Sequence, residues 1–358
     1  MRPIDVMRRR GSATGGAGSP AAGYFDPTWN AGFATYRESD RTFKGSGTWS
    51  NARSLNSQAV GKWYAEIYII DQEYNYSSAI GLATAAYTST DALVGNNSIS
   101  WGMQSSDNIT GARLRHNNAY AGTAITPAVT ENSYMRVAVD FNAGKAWFGN
   151  STAWIGGGDP ATGTSPTFTF TPNTPLYLIG GSSGSIIRLA TKTNELLGVV
   201  PTGFDPWGGT GGTAPATIYR YWEVFVTANN GDGTFTSIAE LILRVAGFDV
   251  TAGGTASAST DHFGVNGSRA FDKNTGAPTT WVTNAGAHLN CWVRYDFGAG
   301  KGKAIDTYGL YGEPGLLGRA PKDFTLRASN DASSWTTKDT QTNITGWAGG
   351  VEKAFNVP

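Results

Sequence analysis

An all-β chain is predicted by three observations. Glycine fills 48 of 358 positions, about twice its usual share of ~7%. Runs rich in aromatic and β-branched residues recur, alternating with a period of two at 135–141, and helical periodicity is nearly absent. Many short strands joined by tight turns produce this pattern.

Taken in order, residues 1–23 join Arg8-Arg-Arg10 to a Gly/Ser/Ala tract. Such a tract buries too little apolar surface to offset backbone ordering, so the segment is expected to be an arm that docks on a neighbouring subunit. Strand signals begin at Tyr24, and residues 63–70 are rich in the aromatic and β-branched types that suit a pleated surface. Met135, Val137, Val139 and Phe141 alternate with Arg136, Ala138 and Asp140, and a turn at Asn142-Ala-Gly leads into Ala146-Trp-Phe, which reads as a hairpin with one buried face. Residues 168–170 and 176–179 continue the pattern, so a first domain spans 24–205. Residues 206–216 are Gly/Pro-rich without periodicity and mark a linker. Strands resume at 219–227, 237–244, 292–297, 305–311 and 324–328, giving a second β domain over 217–358.

Twenty-seven Lys+Arg balance 27 Asp+Glu, so no global field draws the chain to nucleic acid or an anionic membrane. The single cysteine, Cys291, excludes an internal disulfide and any multi-cysteine zinc site. No apolar run reaches the ~18–20 residues of a membrane span, and residues 1–10 lack the apolar segment of a secretory signal. A soluble chain, not exported by that route and not inserted in a membrane, is expected.

The first domain resembles a SPRY domain of the type found in bacteriophage virion proteins. The resemblance is carried by Gly61-Lys-Trp-Tyr-Ala-Glu-Ile67, Ala79-Ile-Gly-Leu82, Val137-Ala-Val-Asp-Phe141 with Ala146-Trp-Phe148, the stretch from Trp154 to Thr164, and Pro175-Leu-Tyr-Leu178. It implies a bent two-sheet sandwich whose loops bind a partner and perform no chemistry. Trp63, Trp147 and Phe148 are read simply as core.

The second domain is similar to a discoidin domain, the galactose-binding-like jelly roll also called coagulation-factor type C. The matching residues are Ile238-Ala-Glu-Leu241, Ala270-Phe-Asp272, Thr279-Thr-Trp281, Trp292-Val-Arg-Tyr-Asp-Phe297, Pro321-Lys-Asp-Phe-Thr-Leu326, Ser329-Asn-Asp331 and Ser334-Trp335. Lys273 and Ala332 stand where glycine is usual. Many such domains hold a structural calcium ion, and the resemblance places its ligands at Asp272, Asn274, Thr279 and Glu352, since calcium takes six to eight hard oxygen donors. The loop between Asp272 and Thr279 is about two residues longer than usual, and the competing reading is a turn closed by Asp272 on its own backbone.

Sugar binding on such folds needs a loop-borne aromatic face and a few convergent hydrogen-bonding groups. His262, Phe263 and Arg319 are the candidates in the second domain; Tyr74, Tyr76 and His116 are those in the first. The competing reading of each is an ordinary exposed loop residue. Gly180-Gly-Ser-Ser-Gly184 has the spacing of a nucleophile elbow, but a strand-like run follows where that device needs a helix. No catalytic residue is assigned. The expectation is a virion adhesion protein, as tail fibre, baseplate appendage or head spike, assembled in the host cytoplasm. It would oligomerise with itself, attach to other virion subunits through residues 1–23 and recognise a host-surface glycan. A purely structural virion connector and an accessory module of a polysaccharide-degrading enzyme are the alternatives.

Overall fold

The structure, a computed structural model, describes residues 24–29, 34–37, 41–47, 49–72, 77–88, 93–105, 112–125, 129–210, 216–276 and 279–358. The arm at 1–23 and the loop holding Tyr74 and Tyr76 lie outside the described residues. The described chain is all-β, and its helical content is confined to short 3-10 turns.

The first half stacks two antiparallel sheets. One runs, in spatial order, Ala34–Arg37, Thr42–Gly45, Ile186–Ala190, Lys62–Asp71, Tyr134–Asp140, Lys145–Asn150 and Phe168–Thr169. The other runs Ser50–Gln58, Leu176–Ser182, Ser78–Ala83, Ser100–Gln104, Ala112–His116 and Ala119–Ile125. Their facing side chains, among them Phe43, Ile67, Ile80, Met103, Val137 and Leu178, make the first core. The expected hairpin is present, with Phe148 opposite Val137 and Lys145 opposite Asp140. Its turn requires glycine: Gly144 has φ 62°, and a Cβ there would lie 2.2 Å from the Phe170 carbonyl oxygen.

Two expectations are corrected here. Trp147 and Phe148 are buried, but Trp63 is only half-buried, with its indole N–H donating to the Val60 carbonyl at 2.6 Å. The Gly/Pro stretch also does not begin as a linker at 206. Asp205–Pro206 forms a parallel bridge with Lys62–Asp71, and Trp207 is buried in the first core, its backbone N–H bonded to Tyr64 O at 2.8 Å. A tryptophan's large apolar area outweighs the turn propensity of its neighbours.

The second half is a sandwich of a five-stranded sheet (Thr255–Ala258, Cys291–Asp296, Tyr221–Asn229, Pro321–Ser329, Thr336–Gln341) on a four-stranded one (Phe248–Asp249, Glu240–Val245, Thr307–Tyr311, Glu352–Asn356). Trp222, Val224 and Val226 alternate inward to meet Leu241, Leu243 and Leu310.

The two sandwiches touch through a shared apolar seam. Ile70 and Ile186 of the first half pack into the core of the second. Beside them Lys303, 2% exposed at its side chain, donates to the Ile70 carbonyl at 2.9 Å and pairs with Asp71 at 3.0 Å and with Glu131. Asn132 adds a bond from its side-chain amide to Gly300 O at 2.9 Å.

Candidate functional site

Four loops meet at one end of the second sandwich. The turn after Thr255–Ala258 is closed by Asp261, whose carboxylate accepts the backbone N–H of Phe263 at 3.0 Å and of Gly267 at 2.8 Å. His262 N–H bonds to Val282 O at 2.9 Å, tying this turn to the next loop. In the 230–236 loop, Asp232 plays the same part for Thr234 and Phe235, at 2.8 and 2.9 Å. Asp232 N–H reaches Gly318 O at 3.1 Å, which fixes the loop that carries Arg319. Thr236 Oγ1 donates to His288 O at 2.6 Å and brings in the fourth loop.

This scaffold lines up the predicted residues around one ring that the sequence reading missed, Phe235. Arg319 lies over Phe235, 4.7 Å from its centroid; Phe235 meets His262 edge-on at 5.4 Å; His262 meets Phe263 at 5.0 Å; and Arg269 covers Phe263 at 4.7 Å. Arg319 is held by Asp232 at 3.1 Å and Glu313 at 3.4 Å. Partial burial works against ionisation of Asp232, but the N–H groups of Phe235 and Thr234 and the Arg319 guanidinium hold its carboxyl below the usual range. Phe263 is 51% exposed, so its ring is open to a ligand, and Leu289 and Leu316 are exposed on the adjoining loops. The only trace of Phe235 in the sequence is that it follows Asp232-Gly-Thr, a turn signal that puts the next residue at a loop rim.

The remaining candidates fall elsewhere. His116 is not a loop residue open to solvent. It ends the strand Ala112–His116 and stacks on Trp101 at 5.0 Å and 7°, with Nδ1 2.8 Å from Ser100 O. Period-two alternation explains this: His116 shares the face of Leu114, which is buried. Tyr74 and Tyr76 lie outside the described residues.

The calcium donors are engaged by the protein itself. Asp272 accepts the Asn274 N–H at 2.9 Å, Asn274 accepts that of Gly276 at 3.0 Å, and Thr279 Oγ1 donates to Gly276 O at 2.8 Å. Glu352 is gripped through both oxygens by Arg244, at 2.5 and 2.9 Å, and accepts from Tyr311 at 3.0 Å. Those Arg244 bonds hold its carboxyl below the ordinary range. Lys273 places its ammonium on Asp249 at 2.6 Å. Among the described residues no three His, Cys, Asp or Glu side chains are placed to hold a metal ion. Of the expected donors, Glu352 is already paired with a tethered cation, Arg244, and Lys273 sits on the neighbouring Asp249, so a hard cation would have to displace these pairs; Asp272 makes no ion pair among the described residues.

Elsewhere, Ser182 of the Gly180–Gly184 stretch is fully buried, donates to Ser185 O at 2.7 Å and leads into the strand Ile186–Ala190. Cys291 is buried, and burial pushes its thiol up to about 12.

No family model matches the chain, and no curated protein matches it. Among solved structures it is similar to the TRIM65 PSpry domain, with 19% identity over 47% of this chain and 92% of that one at a TM-score of 0.35. It is also similar to the SPRY domain of human HERC1, with 18% identity over 46% of this chain and 96% of that one at a TM-score of 0.36. Neither likeness bears on the discoidin reading of the second half or on a virion origin.

Proposed function

We propose that the protein is a recognition module rather than an enzyme, and that it binds a host-surface glycan at the loop cluster of its second sandwich. The half-exposed Phe263 ring, at the end of the row anchored by Arg319 on Asp232, carries this reading. An aromatic ring offers a surface for the apolar side of a pyranose. Arg319 keeps donors on Nη2 for sugar hydroxyls, and Glu313 supplies an acceptor. Its charges are paired in advance, so little ordering is needed on binding. The wider setting is a virion surface, where many copies would make weak single sites act together.

A glycan array on the full chain tests the proposal. Binding to a defined sugar is expected, and Phe263→Ala should weaken it by more than about 1 kcal/mol while leaving the melting temperature in place. An intact fold with no glycan bound would favour the connector reading instead.

A further inference from the structure

The seam between the two sandwiches brings three titratable side chains onto one another. Asp71 ends the strand Lys62–Asp71 of the first sandwich, and Glu131 stands in the turn that leads into Tyr134–Asp140. Lys303 comes from the second sandwich, where its backbone is fixed by an antiparallel bridge to Tyr219, with N–H···O bonds of 2.9 Å in both directions. Its ammonium thus enters the seam from a held position. The side chains of Lys303, Glu131 and Asp71 are only 2%, 7% and 11% exposed.

The Lys303 nitrogen lies 2.9 Å from the Ile70 carbonyl oxygen, 3.0 Å from Asp71 Oδ1 and in contact with Glu131 Oε1. The walls around it are apolar: the Phe297 ring centroid is 5.7 Å away, and Phe297, Ile70 and Ile186 are all buried. Burial pushes the Glu131 carboxyl above the usual range, and the nearby Asp71 adds to this against the pull of Lys303. Glu131 is therefore suited to hold a proton beside the nitrogen. An amine and a carboxyl held in contact react as if at effective molarities of roughly 10⁵–10⁸ M when well oriented. Exclusion of water from the seam removes the reagent that would hydrolyse their product.

We propose that Lys303 and Asp71 condense to an amide that joins the two sandwiches covalently, with Glu131 as the proton carrier. Asp71 is the acceptor because the adjacent Ile70 carbonyl holds the same nitrogen, so two neighbouring residues of one strand fix the amine against the Asp71 carboxyl. Glu131 approaches from a turn and on a longer side chain. That suits a group that must reach first the nitrogen and then the leaving oxygen.

Transfer of one proton from the Lys303 ammonium to the Asp71 carboxylate removes two buried charges and leaves an amine facing a carboxylic acid. The nitrogen lone pair attacks Asp71 Cγ and forms the C–N bond, while the carbonyl electrons move to oxygen, which takes the Glu131 proton. Glu131, now a carboxylate, accepts a proton from the nitrogen and hands it to one of the two hydroxyls. That C–O bond breaks, water departs, and the last proton returns from the new carbonyl to Glu131. The sum is one ammonium and one carboxylate giving one amide and one water, with Glu131 restored and nothing oxidised or reduced. The adjoining cavity of about 210 Å³, lined by Tyr68, Ile70, Ile218 and Lys303 among others, has room for the water.

The test is mass spectrometry of the full chain, denatured after prolonged incubation in its folded state. The parent should weigh less than its sequence by one water. Trypsin should fail to cut after Lys303, and the peptide that holds it should be joined to the peptide 63–113, which contains Asp71. Lys303→Arg, which keeps the charge, and Glu131→Gln, which keeps an acceptor, should both show the full sequence mass. A parent of full mass overturns the proposal whatever the variants do, and so does a water loss that persists in Lys303→Arg. A bond to the peptide 116–136, which contains Glu131, overturns Asp71 as the acceptor. Water loss as complete in Glu131→Gln as in the parent overturns the part given to Glu131.

Discussion

Glu240 shows how much one side chain can decide. Its side chain is almost fully buried, Oε2 accepts the Lys273 N–H at 3.0 Å, and Oε1 has no partner among the described residues. Burial, with Asp272 and Asp249 nearby, pushes its carboxyl from 4.5 up to about 8 against the pull of Lys273. The folded chain therefore holds a proton that the unfolded chain releases near 4.5. Between those values the native state binds more protons, so stability falls as pH rises from 4.5 to 8 and levels off above. Glu240→Gln keeps the acceptor for Lys273 and removes the titration. Melting curves from pH 5 to 9 should show a smaller decline for this variant, which should melt above the parent at pH 9; parallel curves would assign the decline to other groups. Phe235 teaches a related point at the loop end. His262, Phe263 and Arg319 were legible as candidates, but the ring that joins them was not, because contact between loops about 25 to 85 positions apart leaves no local pattern.

Among elements, strands were far more legible than turns. The 134–150 hairpin, with its period-two alternation and Gly144, could be read directly, since one buried face imposes the register. Trp207 could not, because a single large apolar residue in a Gly/Pro run has no periodicity to announce its burial. The turn at Asp272–Thr279 was hard to read for another reason. Lys273 adopts φ 64°, a conformation that favours glycine, and uses the position to send its ammonium to Asp249. Spacing alone could not show that Glu352 and Asp249 are already paired with Arg244 and Lys273. Calcium at millimolar concentration, or a chelator, should leave the melting temperature unchanged. A clear rise with calcium would mean that Arg244 or Lys273 gives way to the ion.

At the scale of the molecule, Lys303 decides whether two sandwiches behave as one. Removing one member of a buried ion pair strands its partners, typically at about 3–5 kcal/mol. Lys303→Ala leaves Asp71 and Glu131 without their ammonium at the seam, and calorimetry should show one unfolding transition for the parent and two for this variant. One transition at the parent temperature would mean that the apolar contacts of Ile70 and Ile186 suffice. Nothing in the sequence marked this lysine, because its partners lie 172 to 233 positions away.

That separation also bears on how the chain is made. A ribosome synthesises roughly 5–20 residues per second, and N-terminal domains fold first. The first sandwich is complete, down to Trp207, many seconds before Lys303 emerges. During that interval Ile70 and Ile186 have no cover, while Asp71 and Glu131 wait without a cation. A fragment ending at residue 210 should therefore fold, yet bind a hydrophobic dye and self-associate, and adding residues 216–358 in trans should suppress both. A monomeric, dye-silent fragment would show that the nascent domain shields its own seam.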